Sequence, residues 1–306
     1  MKAVRQQFAD TMLAVGQADP RLVVLVGDIS HGILQPYAKA CPGRYYNVGI
    51  LEPTIMSMGA GLARMGLYPV IHTIAPFLVE RSFEQIKLDF CYQKLHGNIV
   101  TVGSAFDYAN LGCTHHCYGD FALLKTLPGV RITYPATPIE FDALFRQSYR
   151  ENKVTYYRLP EHQHGVDFKA AEIVLGRGLK VAEGRDLTLI ATGPHLKTAL
   201  GARERLLALG WRAEVIYIHT VRPLDEPMVC ESVAKTRRVV VIEEHMRSGG
   251  LGDEVLRCTR HIPDMSFTSA SIPDTFVTGY GCYEDHCESL GLTPEGIASL
   301  VQRGMR

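Results

Sequence analysis

The stretch "RYYNVGILEPTIMSMGAGLARMGLYPVI", residues 44–71, decides the fold. It reads as a strand, a helix and a second strand, the βαβ order of a parallel sheet. Gly59, Ala60, Gly61 and Ala63 give the helix small side chains, so it can lie close against its neighbours in the interior. At the turn into the helix stands one carboxylate, Glu52, with apolar residues before and after it. An acid followed by Pro53 suits a helix start, where the dipole favours negative charge and proline fits the first turn. A carboxylate at the mouth of a buried helix also loses water, which makes it a candidate for handling a proton near neutral pH. Spacing leaves both readings open.

The same alternation continues on either side. "RLVVLVGDIS" (21–30), "YPVIHTI", "GNIVTVGS" and "GVRITYPA" are apolar runs with strand character, and "RSFEQIKLDFCYQ" and "DFALLKTL" carry helical patterns between them. After "VTYYRLPEHQHGV" the pattern restarts. "LTLIATGP", "WRAEVIYIHTVRP", "RRVVVIEEH" and "SFTSASIP" read as strands, with helices at "HLKTALGARERLLALG" and "GGLGDEVLRCTRHI". Periodicity breaks near 160–175, at Pro160, His162, His164 and Gly165. The fold class is therefore α/β, with two domains of mainly parallel sheet flanked by helices, at residues 1–165 and 170–306. No short repeat or low-complexity segment interrupts them.

Composition narrows the function. Of 306 residues, 46% are hydrophobic and 21% charged, the profile of a soluble globular chain. Lys plus Arg and Asp plus Glu both number 32, so no basic excess points to nucleic acid or an anionic membrane. No apolar run approaches the roughly 18 residues that span a bilayer. "MKAVRQQFADTMLAVG" is an amphipathic helix with an internal Asp rather than a signal peptide, so a cytoplasmic location is expected. The eight cysteines are then expected to be reduced thiols.

Ligands of open parallel sheets sit at the carboxyl ends of strands. That rule selects Asp28, Glu52, Thr73–Phe77, Ser104–His116, Gly193–His195 and Glu243–Gly252. Within it, "GCTHHC" (112–117) has the residue types of a zinc site but not the spacing. Zinc ligands pair across separated elements, and the adjacent His115 and His116 point in different directions. No metal is expected on this chain.

Several of these segments resemble the transketolase family. "NVGILEPTIMSMGAGLARMGLYPVIHTIAPF" is similar to its pyrimidine-binding domain, where an NVGIxE segment precedes AAGLAxxGxxP and a Thr-Phe-rich strand end. The likeness continues through "FEQIKLDFCYQKLHGNIVTVGS" and through "GCTHHCYGDFALLKTLPGVRITYPATPIEF", similar to GPTHQ and the segments after it. It reaches the family's C-terminal domain at "VVVIEEHMRSGGLGDEV" and "GCYEDHCESLGLTPEGI". The family's diphosphate and Mg²⁺ motif, GDG followed downstream by Asn, has no counterpart: "GDIS" at 27–30 is not that motif. The resemblance thus implies the C-terminal half of a split enzyme. A separate diphosphate-binding subunit is the expected partner, with two copies of each chain.

The resemblance implies thiamine diphosphate as cofactor, with Mg²⁺ held mainly by the partner. Glu52 matches the Glu that hydrogen-bonds the cofactor's pyrimidine and promotes the imino tautomer that removes the C2 proton. Phe77 matches the aromatic under that ring. Ile74 stands where a second Phe is common, so that wall is aliphatic. His115 matches the substrate-facing His, His116 stands at the following Gln, and Asp120 matches a later acid. His72 is a further candidate for the pocket wall. Two positions depart from the family. Leu111 replaces an Asp used on a sugar hydroxyl, and Tyr134 replaces an Arg that holds substrate phosphate, a change that is not conservative.

The implied activity is transfer of a two-carbon ketol unit from a ketose to an aldehyde, by an enzyme active only with its partner. The departures predict an acceptor that is smaller, less hydroxylated or unphosphorylated. Competing readings are the β subunit of a 2-oxo acid dehydrogenase E1, a split deoxyxylulose-phosphate synthase, and an inactive regulatory subunit. Retention of Glu52, Phe77 and His115 together argues against the last.

Overall fold

The computed structural model describes residues 2–304. The first half opens with helix α1 (Val4–Ala18) and β1 (Leu22–Val26), whose five residues are all buried. There follow α2 (Gln35–Ala40), β2 (Tyr45–Asn47), α3 (Glu52–Arg64), β3 (Tyr68–Ile74) and α4 (Ala75–Val79). A short α5 (Phe83–Gln85) runs on as a π-helical segment over Ile86–Tyr92. Next come β4 (Gly97–Val102), α6 (Asp120–Lys125), β5 (Arg131–Thr133), α7 (Pro138–Ser148) and β6 (Val154–Leu159). The second half holds β7 (Leu179–Ala182), β8 (Leu187–Ala191), α8 (Leu196–Ala208), β9 (Ala213–Tyr217), β10 (Thr220–Arg222) and α9 (Glu226–Thr236). It ends with β11 (Arg238–Met246), α10 (Leu251–Thr259), β12 (Ser266–Ile272), α11 (Tyr283–Ser289) and α12 (Pro294–Gly304).

Two sheets result. The first runs β10-β5-β6-β4-β3-β1-β2 and the second β12-β11-β8-β9-β7, all pairings parallel except those of the edge strands β10 and β7. Both expectations of strand-rich runs with parallel pairing hold, with one correction. "WRAEVIYIHTVRP" is two strands, not one. The chain leaves the second sheet after Tyr217, and Thr220–Arg222 pair antiparallel with β5 of the first sheet. The halves therefore share a sheet as well as a surface. The loop after β4 returns the exchange, since Ala105 and Phe106 are buried in the core of the second half.

Strand alternation gives β3 two different faces. Ile71 lies in the core with Ile55 and Met56 of α3, while Val70 lies with Phe8 of α1 on the other side. The small residues of α3 have a measurable purpose here. A Cβ on Gly59 would stand 2.6 Å from Ile71 Cδ1, so the helix rests directly on the strand. That close seating brings the first residue of α3 to the carboxyl end of β3.

Candidate functional site

Glu52 opens α3 and is 1% exposed. Its Oε2 accepts a hydrogen bond from Arg81 Nη1 at 3.1 Å. Its Oε1 is buried and has no hydrogen-bond partner. A buried polar atom without a partner costs about 1–3 kcal/mol, so this oxygen marks a place where a donor is missing from the chain itself.

Around it stand residues from two neighbouring strand ends. Phe77 lies on α4, immediately after β3, and is half-buried. Arg81 places Cζ 4.2 Å from the centroid of that ring. His115 closes a 3₁₀ turn (Cys113–His115) in the loop after β4 and meets Phe77 edge-on, with centroids 5.1 Å apart. Thr114 Oγ1 lies 2.9 Å from His115 Nδ1. Burial first and the charge of Arg81 second lower the pKa of His115, so the imidazole is neutral near pH 7. Glu52, Phe77 and His115, three residues far apart in sequence, thus meet in one patch at the carboxyl edge of the first sheet. It offers an acceptor oxygen, an aromatic face and a neutral imidazole.

The other expected residues fall elsewhere. His72 does not line this patch. It is fully buried on the α1 face of β3, its ring 4.3 Å from Phe8. Its Nδ1 lies 2.8 Å from the Val100 carbonyl, and its Nε2 lies 2.7 Å from Ser30 Oγ. The carbonyl can only accept, so Nδ1 carries the proton and Nε2 accepts from the serine. Ile74, two residues on, shares that face and packs against the cluster containing Phe8 and Val102. Leu111 is exposed at the end of a 3₁₀ turn before Gly112. His116 turns inward instead. It is 4% exposed, neither ring nitrogen has a partner, and burial, then His286 and His115, push its pKa down to about 4. It lines a cavity of about 330 Å³ with Glu80, Cys113, Tyr118, Met246 and Phe276. Among the described residues no three His, Cys, Asp or Glu side chains converge as metal ligands.

Tyr134 also departs from its expected place. It is fully buried, and its hydroxyl donates to Glu244 across the boundary between the halves. It belongs to a buried polar cluster that sequence reasoning missed. Arg158 sits at the centre, with Nε 3.4 Å from Asp120 Oδ2 and Nη2 3.7 Å from Glu244 Oε1. Tyr156 donates to Asp120 at 2.7 Å and Tyr283 to Glu244 at 2.5 Å. His195 Nε2 lies 3.5 Å from Glu244 Oε2. Burial raises the Glu244 carboxyl, but the His195 contact and the Arg158 charge outweigh it and hold the pKa at about 2. The available signal was Arg158, a lone cation inside the apolar strand "VTYYRL". Glu244 and His195 stand out in the sequence only as strand-end positions.

These features define an α/β chain whose first domain presents a buried carboxylate and an aromatic face at a parallel sheet's carboxyl edge. A second domain is locked to it through buried charge. Residues 1–165 match the pyrimidine binding domain of transketolase and residues 176–297 match the transketolase C-terminal domain. The chain belongs to the transketolase family. It is 31% identical over 98% of its length, and 97% of the other chain, to a subunit of the apulose-4-phosphate transketolase of Phocaeicola vulgatus. It is 30% identical over 96% of its length, and 92% of the other chain, to a subunit of the 6-deoxy-6-sulfo-D-fructose transketolase of a Clostridium species. Among solved structures it is similar to a split gene transketolase described as an inactive beta4 tetramer. The two share a TM-score of 0.90 and 30% identity, covering 100% of this chain and 99% of that one.

Proposed function

We propose that this chain is the pyrimidine-binding subunit of a two-subunit, thiamine-diphosphate-dependent transketolase. In this reading it helps transfer a two-carbon ketol unit from a ketose to an aldehyde. The observation that carries the proposal is the bare, buried Oε1 of Glu52, whose other carboxylate oxygen is joined through Arg81 to the face of Phe77. A flat aminopyrimidine needs a carboxylate at its edge and an aromatic under its plane, and both are present, so the residues fit the group. When bound, thiamine diphosphate would supply the nucleophilic carbon that ketol transfer requires. Glu52 holds and releases the proton at the ring edge. Phe77 fixes the plane of the ring, and neutral His115 donates to a carbonyl or hydroxyl oxygen of the sugar.

In this reading a separate subunit binds the diphosphate and Mg²⁺, in keeping with relatives that are named as transketolase subunits and match over 97% and 92% of their own length. The chain offers that subunit a surface. Leu51, Met58 and Met65, seven residues apart, form one exposed line along α3, with Ile50 beside it. Leu88 and Tyr92 extend the line on the π-helical segment, which Ser57 ties to α3 through Asp89 at 2.6 Å. An apolar surface running from the mouth of the site outward suits a permanent partner. Two copies of each chain, in a reducing cytoplasm that suits eight free thiols, complete the proposal.

Leu111 stands in the sequence where the family resemblance implies an acid for a sugar hydroxyl, so in this reading the acceptor lies outside the ordinary pentose phosphates. The test is co-purification with the diphosphate-binding subunit followed by a screen of ketose donors and aldehyde acceptors. Ketol transfer by the complex supports the proposal, and a complex that transfers nothing across the screen contradicts it.

A further inference from the structure

Arg81 lies at the centre of the patch, although nothing in the family motifs points to it. Its Nη1 donates to Glu52 Oε2 at 3.1 Å, and its Cζ stands 4.2 Å over the Phe77 ring. Its side chain is 48% exposed, so it is not built into the core and can leave by rotating about its own bonds. A guanidinium is planar and carries N–H donors at its edge. Placed here, it makes the same two kinds of contact that an aminopyrimidine ring would make, an edge donor to Glu52 and a face against Phe77. It satisfies only one carboxylate oxygen and leaves Oε1 bare. Two planar groups cannot occupy the same face of Phe77.

Resting on the reading of Glu52 and Phe77 as the ring site, we propose that Arg81 is an internal occupant of that site. It is a latch that closes the site in the empty chain and swings clear before the cofactor ring enters. Its second effect is protective. While closed, it pairs the charge of Glu52 and covers Phe77, the two groups that an empty site would otherwise expose. The latch is weak enough to open, because a half-exposed ion pair and a half-exposed cation–π contact are each small. Together they are expected to hold back ring entry by about tenfold.

The experiment uses the complex with the diphosphate-binding subunit, as wild type, Arg81→Met and Arg81→Lys. Methionine keeps the stem and removes charge, plane and donors; lysine keeps the charge alone. Calorimetry gives the affinity for thiamine diphosphate with Mg²⁺, and stopped-flow near-ultraviolet circular dichroism gives the association and dissociation rates. The latch predicts that Arg81→Met binds about tenfold faster and tighter with an unchanged dissociation rate, and that Arg81→Lys falls between. A merely loosened site would show faster dissociation instead, and that result overturns the proposal. So does an Arg81→Met complex that associates at the wild-type rate, or binds more weakly, while the wild type binds normally. Failure of the wild-type complex itself to bind would remove the ring site, and the latch with it.

Discussion

Replacing Glu52 by Gln separates the chemistry of this carboxylate from its structural part. The structure gives the structural part a small size. The substitution keeps the shape and loses one charge-assisted hydrogen bond, to an Arg81 whose side chain is 48% exposed. Screening by water holds such a pair to less than about 1 kcal/mol. Melting of the variant should therefore shift by a few degrees at most. Oε1 already lacks a partner, so an amide in its place leaves the number of unpaired atoms unchanged. The chemical loss is far larger. Gln cannot pass between ionised and protonated forms, and removal of a positioned acid or base costs about 10²–10⁴ in rate. The assay is exchange of the cofactor C2 proton for deuterium in the reconstituted complex, quenched by acid and read by NMR. The account predicts exchange slowed by at least about a hundredfold, with the complex intact and folded. Wild-type exchange in Glu52→Gln would return this residue to the role of a helix-terminal acid with no part in proton transfer.

Other expectations follow from the same geometry. Arg158→Met leaves Asp120 and Glu244 buried without their cation, so it should destabilise the chain by about 3–5 kcal/mol in chemical denaturation; a loss under about 1 kcal/mol would show that the cluster does not hold the halves together. His72, His116, His219 and His245 have pKa values lowered by burial to about 3, 4, 4 and 3, from 6.5. The unfolded chain takes up these protons first, so stability present above pH 6.5 is lost as the pH falls towards 4. Each group contributes up to about 1.4 kcal/mol per pH unit, and flat stability across that window would contradict the neutral assignments. Met65→Lys, at a residue 80% exposed, should leave melting within a degree or two of wild type and weaken assembly with the diphosphate-binding subunit in light scattering. Finally, short or deoxygenated aldehydes should exceed ribose 5-phosphate in kcat/KM, and Leu111→Asp should narrow that gap. Tyr134→Arg is no companion to that test, because it would place a second cation against buried Arg158.

How far the chain could be read in advance depended on which signals are local. "YPVIHTI" became β3 at its full length because β-branched residues between Gly66 and the helical Pro76 leave few alternatives. Glu52, Phe77 and His115 were legible through their motifs, and they do converge. His72 and Ile74 were misplaced because alternation puts 70, 72 and 74 on one face and 71 on the other, and sequence does not say which face α3 covers. Tyr134 and Arg158 depend on how two domains meet, and β10 on which sheet a strand joins; neither is encoded in periodicity. The π-helical backbone of Ile86–Tyr92 has the same residue pattern as an α-helix and no distinguishing side chain. Arg81 was missed for a simpler reason. It belongs to no motif, and only its position over Phe77 gives it meaning.

In the proposed assembly this chain holds half of a cofactor site and another subunit holds the rest. The direct measurement is ketol transfer from a ketose donor to an aldehyde, with thiamine diphosphate and Mg²⁺, by the purified chain titrated with the diphosphate-binding subunit. The account predicts no turnover without the subunit, then a rise that saturates at one subunit per chain. Turnover by this chain alone, or saturation without activity, would contradict it.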